Sequence, residues 1–286
     1  DFTPALRARA LENLKKFRWE PSPYVPPLGP NDQRLGSVNI GNAGGGVNWP
    51  GSGFDPETGI FYTEANNSGV TIGKYFDEEF NQVRSDQFNA RNARKPRWEA
   101  DPEYGRNGTN QPGAARPLPV PQEGSVPGAT GRQALAEGLD GLPIVKPPYG
   151  VIAAIDLAAG GKLLFQVPHG DTPDNIRNHP MLRGMNIPKT GQGASVGIMV
   201  TKTVAVAGDA QITSPPGRGR GAMLRAYDKK TGAEVGGVLM PAGITGSPMT
   251  YSVDGRQYII VAVSGGNYTG EYIAYALPQS ELRSGN

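Results

Sequence analysis

Hydrophobic positions along the chain fall first at helical spacing and then at strand spacing. Leu6, Leu11, Leu14 and Phe17 recur on one helical face, with Arg7, Arg9, Glu12, Lys15 and Lys16 between them. This predicts a short amphipathic helix with a solvated basic face. Thr3 stands at the N-cap, and Pro4 takes the first helical position, where its missing N–H costs nothing. The proline-rich run over residues 20–27 ends the helix. From Gly41 onward the apolar runs are short and punctuated by glycine: residues 60–62, 151–152, 163–165, 223–224, 249–253, 257–263 and 273–277 read as strands. Between about 81 and 148 this pattern fades into Arg, Asn, Gly and Pro.

One turn chemistry recurs between the runs. It is Asp55 to Gly59, Asp156 to Gly160 and Asp228 to Gly232. In each, the carboxylate is placed to accept from the following amides, and the glycine four residues on supplies the positive φ that closes the turn. Asp254-Gly255 between two apolar runs carries the type I′ hairpin signature instead. Strands repeated through hairpins without helical crossovers leave a sandwich, a barrel or a propeller open. Radial repetition is the option that explains a recurring turn.

Composition sharpens the class. Gly (41) and Pro (27) together make about a quarter of the 286 residues, against about an eighth in ordinary domains. That excess disfavours a helical bundle and points to an all-β chain. With no cysteine, thiolate metal sites, thiol nucleophiles and disulfides are excluded. The net charge of +2 and 19% charged residues give no field for nucleic acid. No run reaches the about 18 apolar residues of a membrane helix, and no secretory signal stands at Asp1.

Other constellations are weak. His169 and His179 read as exposed loop residues rather than metal ligands, and Asp77-Glu-Glu79 as a solvated turn without calcium-loop spacing. The arginine–glycine run from Pro215 to Gly221 reads as a hairpin tip. No Gly-x-Ser-x-Gly elbow is present.

Longer phrases carry a family resemblance. Ala226-Tyr-Asp228-Lys-Lys-Thr231-Gly232 resembles the tryptophan-docking repeat of quinoprotein dehydrogenases, and Ala154-Ile-Asp156 followed by Gly161 to Phe165 is similar with one extra residue. Gly236 and Phe165 stand where the repeat carries its terminal Trp, which in the family packs between neighbouring blades. Pro241 to Tyr251, Gly255 to Tyr258 and Ser264 to Gly266 resemble the closing blade. Gly44 to Trp49 with Phe54 to Gly59 also matches. The arrangement is closest to the membrane-type glucose dehydrogenase branch, which uses pyrroloquinoline quinone (PQQ).

The resemblance implies an eight-bladed β-propeller, of which this chain would form about half, roughly four blades, with a short N-terminal helix and long loops. The expected layout is one partial propeller over 1–286. Within it lie a helix and Pro-rich lead-in at 1–40, a long loop insertion at 81–148 and C-terminal blades at 149–278. The implied function is the C-terminal portion of a PQQ-dependent dehydrogenase that oxidises a glucose-like sugar or an alcohol. Electrons would pass to a quinone-type acceptor in an extracytoplasmic, periplasmic setting. Implied cofactors are PQQ and Ca2+, although no residue here matches the family's calcium ligands or catalytic base, so neither is assigned.

Asn48 and Trp49 are the implied cofactor-binding pair, with Gln192 and Ser195 from another blade opening. The plainer alternative makes Trp49 blade core and Asn48 a turn residue. As an isolated half the chain is expected to be inactive, or to need the missing N-terminal half. The rival from another class is a non-catalytic propeller serving as scaffold or binding module, favoured by Gly236 in place of the docking Trp.

Overall fold

The computed structural model describes residues 1–22, 25–29, 31–40, 46–67, 70–73, 134–244, 246–265 and 268–278. Most of the 81–148 insertion, the Asp77-Glu-Glu79 stretch and Gly44 and Gly45 lie outside them. None of the described helices is long and apolar enough to cross a membrane.

Helix α1 (Pro4–Leu14) starts where the cap predicts, with the Leu6 amide donating to Thr3 Oγ1 at 3.1 Å. Leu6 and Phe17 are buried, yet Leu11 is half exposed and Asn13 is buried in its stead. The reason is polar: Asn13 Nδ2 donates to the carbonyls of Leu135 and Glu137 at 3.0 and 2.8 Å. Those carbonyls come from a segment about 120 residues away, which periodicity cannot see.

The chain divides into two compact units, one of residues 1–8, 40–71 and 141–286, the other of residues 9–39 and 72–140. In the second, Phe17, Val25, Leu28, Val38, Leu135 and Leu139 are buried. β1 (Ser37–Ile40) and β4 (Val70–Gly73) pair as a two-stranded ribbon, and the Leu28 amide and Ser37 Oγ both donate to the Gly73 carbonyl.

Three four-stranded sheets make up the first unit. One is β2 (Gly53–Asp55), β3 (Ile60–Asn66), β5 (Gly150–Asp156) and β6 (Lys162–Pro168), paired antiparallel in that order. The next is β7 (Ile198–Val200), β8 (Val204–Gly208), β9 (Ala222–Asp228) and β10 (Glu234–Met240), again antiparallel in sequence order. In the last, β11 (Gly243–Ile244) and β12 (Met249–Val253) both pair with β13 (Arg256–Gly265), which also pairs with β14 (Tyr268–Ala276). The first two sheets run up and down in sequence order, as propeller blades do, while in the last β11 and β12 lie along one edge of β13 and β14 along the other. Three sheets and the ribbon stand among the described residues, where roughly four blades were expected.

The predicted turns form as their chemistry requires. Asp55 accepts from the Glu57 amide and the Thr58 hydroxyl, and Asp228 from the Lys230 and Thr231 amides. Gly59, Gly160 and Gly232 hold φ of +72°, +72° and +74°. Asp254 and Gly255 are both at positive φ, the type I′ geometry. The three Asp turns are not equivalent, however. Asp156 and Asp228 stand between the third and fourth strands of their sheets, whereas Asp55 stands between the first and second.

β3 and β5 pair over seven residues, from Ile60 with Asp156 to Asn66 with Gly150. The stretch from 67 to 149 therefore joins the second and third strands of one sheet.

One apolar core runs through all three sheets, joining Tyr62 and Ile152, Ile198, Val206 and Leu224, and Val261 and Val263. Phe165, at one of the two docking-Trp positions, packs against the turn of the neighbouring sheet. Its ring lies so close to Gly232 that a Cβ there would come within 2.6 Å of it. Gly236, the other vacant docking position, has open space around it. The histidines are buried, against expectation. His169 is 1% exposed and hydrogen-bonded at both nitrogens, to Tyr227 Oη and the Gly208 carbonyl, while His179 is 9% exposed. Burial pushes the His169 imidazole below its usual range, so it stays neutral and structural.

Candidate functional site

Glycine decides where the segments that open the sheets can meet. A side chain on Gly197 would lie 1.8 Å from Ser247 Oγ and 2.6 Å from the Pro50 carbonyl. Residues 46–52, 191–197 and 246–248, which lead into β2, β7 and β12, therefore converge at one bare backbone. Ser247 Oγ donates to the Pro50 carbonyl there, and the Gly197 amide to the Gly246 carbonyl. A second close approach lies further back. Gly150 has the Gln192 carbonyl where its Cβ would be, at 1.8 Å, and the Gln192 amide donates to the His169 carbonyl at 2.7 Å.

The sequence-predicted residues sit on these segments. Asn48 is half-buried, and its Oδ1 accepts from the Trp49 amide at 2.7 Å. That leaves the Nδ2 end for any further partner. Trp49 is 83% exposed and so not blade core, whereas Asn48 does close a turn, its carbonyl accepting from the Gly51 amide at 3.1 Å. Gln192 is 1% exposed. Its Oε1 accepts from the Gln211 amide at 3.0 Å, while its buried Nε2 has no partner. Ser195 is half-buried, three residues further along the same segment. Backbone contacts thus bring the 46–49 and 192–195 segments to one end of the sheets, with the Asn66 amide tied to the Gly46 carbonyl at 2.6 Å.

Sequence reasoning missed the groups that hold this end in place. Glu64 on β3 is 2% exposed. Burial pushes its carboxyl up to about 8, partly offset by the Val196 amide that donates to Oε2 at 3.3 Å. Its Oε1 has no partner. The strand pattern gave the only signal, since Glu64 shares a face with Tyr62. Gln211 caps the other side, donating through Nε2 to the Gly193 carbonyl at 3.0 Å.

Behind Gln192 stands a charge network. Arg225, 3% exposed, reaches Asp209, Asp171 and Glu234 at 2.7 Å each. Burial works against its charge, yet those three carboxylates hold the guanidinium above its usual range. Arg218 and Arg220 of the predicted hairpin tip pair with Asp171 and Asp174, so that loop is clasped to the 170–178 segment. Among the described residues no group of three His, Asp or Glu is placed to hold a metal.

The family described as "PQQ: Glucose/ethanol/alcohol dehydrogenase, beta-propeller domain" matches residues 1–259. The glycerol dehydrogenase large subunit of Gluconobacter oxydans is 28% identical over 82% of this chain and 28% of its own length. The quinoprotein glucose dehydrogenase A of Acinetobacter calcoaceticus is 29% identical over 49% of this chain and 17% of its own. A crystal structure of the quinohemoprotein alcohol dehydrogenase from Comamonas testosteroni is 22% identical, with a TM-score of 0.38 over 79% of this chain and 23% of its own. The chain thus spans less than a third of these relatives.

Proposed function

Because the chain belongs to the PQQ-dependent glucose/ethanol/alcohol dehydrogenase β-propeller family, we propose that it forms the C-terminal part of such an oxidoreductase. The substrate class is a glucose-like sugar or a polyol or alcohol, with electrons passed to a quinone-type acceptor in the periplasm. On this reading residues 1–286 are one partial propeller, and 149–278 carry its C-terminal blades. The rest of the propeller brings the calcium ligands and the catalytic base.

The observation that carries the reading is the unsatisfied amide of Gln192, a buried donor at the end where the sheet-opening segments converge. A buried N–H without a partner costs about 1–3 kcal/mol, and an acceptor-rich ligand removes that cost. PQQ is planar and rich in carbonyl and carboxylate oxygens, which suits this donor. When bound, the cofactor supplies the redox chemistry, and the protein supplies position and electrostatics. Gln192 Nε2 and Asn48 Nδ2 would donate to it, Ser195 would offer a hydroxyl, and the exposed Trp49 ring would cover a flat face.

Titration of PQQ into the chain, with calcium present, tests the reading through tryptophan fluorescence. Saturable binding is expected, weakened severalfold in Gln192→Leu, about what one hydrogen bond contributes. Absence of any binding overturns the cofactor assignment. Dye reduction with glucose or glycerol, PQQ and calcium is expected to be nil for this chain alone, and robust turnover overturns its dependence on further blades. In the native cell the gene product is expected to run well above 30.2 kDa; a product of that size supports a binding module instead.

A further inference from the structure

The 191–197 segment is fixed at two places by side chains from outside it. Gln211 ties down Gly193, and Glu64 ties down Val196. Between them lie only Ala194 and Ser195. Glu64 is costly to bury, sits in an otherwise apolar layer opposite Ile152, and leaves Oε1 without a partner. A carboxyl kept at that cost for stability alone would be better replaced by an apolar side chain. We propose that Glu64 is a positioning residue, whose grip on the Val196 amide sets the path of residues 193–197 and so the placement of Ser195.

The chemical state of the grip follows from its surroundings. Glu64 shares its face of β3 with Tyr62, Ile152 of β5 stands opposite it, and the opening segment contributes the Val196 amide. Among the described residues, Tyr62 is the titratable neighbour on the same face of β3, and burial and the Val196 amide are what act on the Glu64 carboxyl. In this setting the neutral acid is at home, with Oε2 accepting from Val196. Ionised, the carboxylate has one long amide bond against full desolvation, and turning toward water relieves that. Deprotonation therefore releases residues 193–197.

The inference rests on the cofactor reading only for its consequence, so the test separates the two. Amide hydrogen exchange of the whole chain reads the grip without any ligand. Between about pH 6 and pH 9, Val196 and Gly197 are expected to lose about tenfold or more in protection beyond the intrinsic rise. Glu64→Gln keeps the acceptor without the charge, so its protection stays high and flat. Glu64→Ala loses protection at every pH; should that variant fail to fold, the Gln variant and the pH profile decide. Equal protection in wild type and Glu64→Ala overturns the inference, as does an unchanged pH-dependent loss in Glu64→Gln. PQQ affinity is expected to fall over the same pH range in wild type but not in Glu64→Gln. If exchange behaves as stated while PQQ never binds, the positioning role stands and the cofactor reading fails.

Discussion

At the scale of single residues, charge burial is where the chemistry concentrates. Glu64 titrates near about 8 in the folded chain against 4.5 for an ordinary glutamate. The folded state therefore binds more protons than the unfolded one between those values. The contribution of Glu64 to stability is full below about 4.5 and declines as pH rises toward 8, by up to about 1.4 kcal/mol per pH unit. Glu64→Gln should remove this slope, so urea midpoints of variant and wild type converge at low pH and separate above neutrality. Asp55 has the opposite sign. Hydrogen bonds from Lys229 and Thr58 hold it down to about 2, so its contribution is lost only in strong acid. Lys229 is buried beside it, its Nζ also donating to the Thr201 and Lys202 carbonyls. Their pairing does not show in sequence, where Asp55 reads as a turn carboxylate and Lys229 as one of two interchangeable lysines in a polar turn.

At the scale of elements, the turn chemistry was legible and the packing it enters was not. Asp228 and Gly232 announce a hairpin by themselves, because an Asx cap and a positive φ are local properties. That Gly232 also receives the Phe165 ring from the neighbouring sheet is a matter of space. Gly232→Ala meets both constraints, a φ of +74° and a ring atom at 2.6 Å, and should destabilise by about 1–3 kcal/mol. Thermal denaturation of Gly232→Ala with and without Phe165→Leu checks it: relief of the clash appears as non-additivity, whereas simple addition of the two effects leaves only the backbone strain. Helix α1 shows the same division. Its start follows from Thr3 and Pro4, but its buried face was misjudged at Leu11, since Asn13 finds its partners at Leu135 and Glu137.

At the scale of the whole molecule, the continuous core predicts joint behaviour of the three sheets. Leu224 in the middle sheet is 5% exposed and belongs to the same cluster as Tyr62 and Val261. Leu224→Ala should cost about 2–5 kcal/mol and lower a single unfolding transition seen alike by near- and far-ultraviolet circular dichroism. A second transition left at the wild-type temperature would mean that the sheets unfold separately.

The sequence by itself determined the strand class, the hairpin turns, the helix start and the family, because these depend on residue identity at short spacing. It also marked Asn48, Trp49, Gln192 and Ser195 for a site. Only the tertiary structure decided that the strands either side of the 67–149 excursion complete one sheet, that Gly150 and Gly197 let the opening segments touch, and that Glu64 is a buried acid. Each of these depends on residues far apart in the chain, whose proximity is set by burial of a shared core rather than by any local preference.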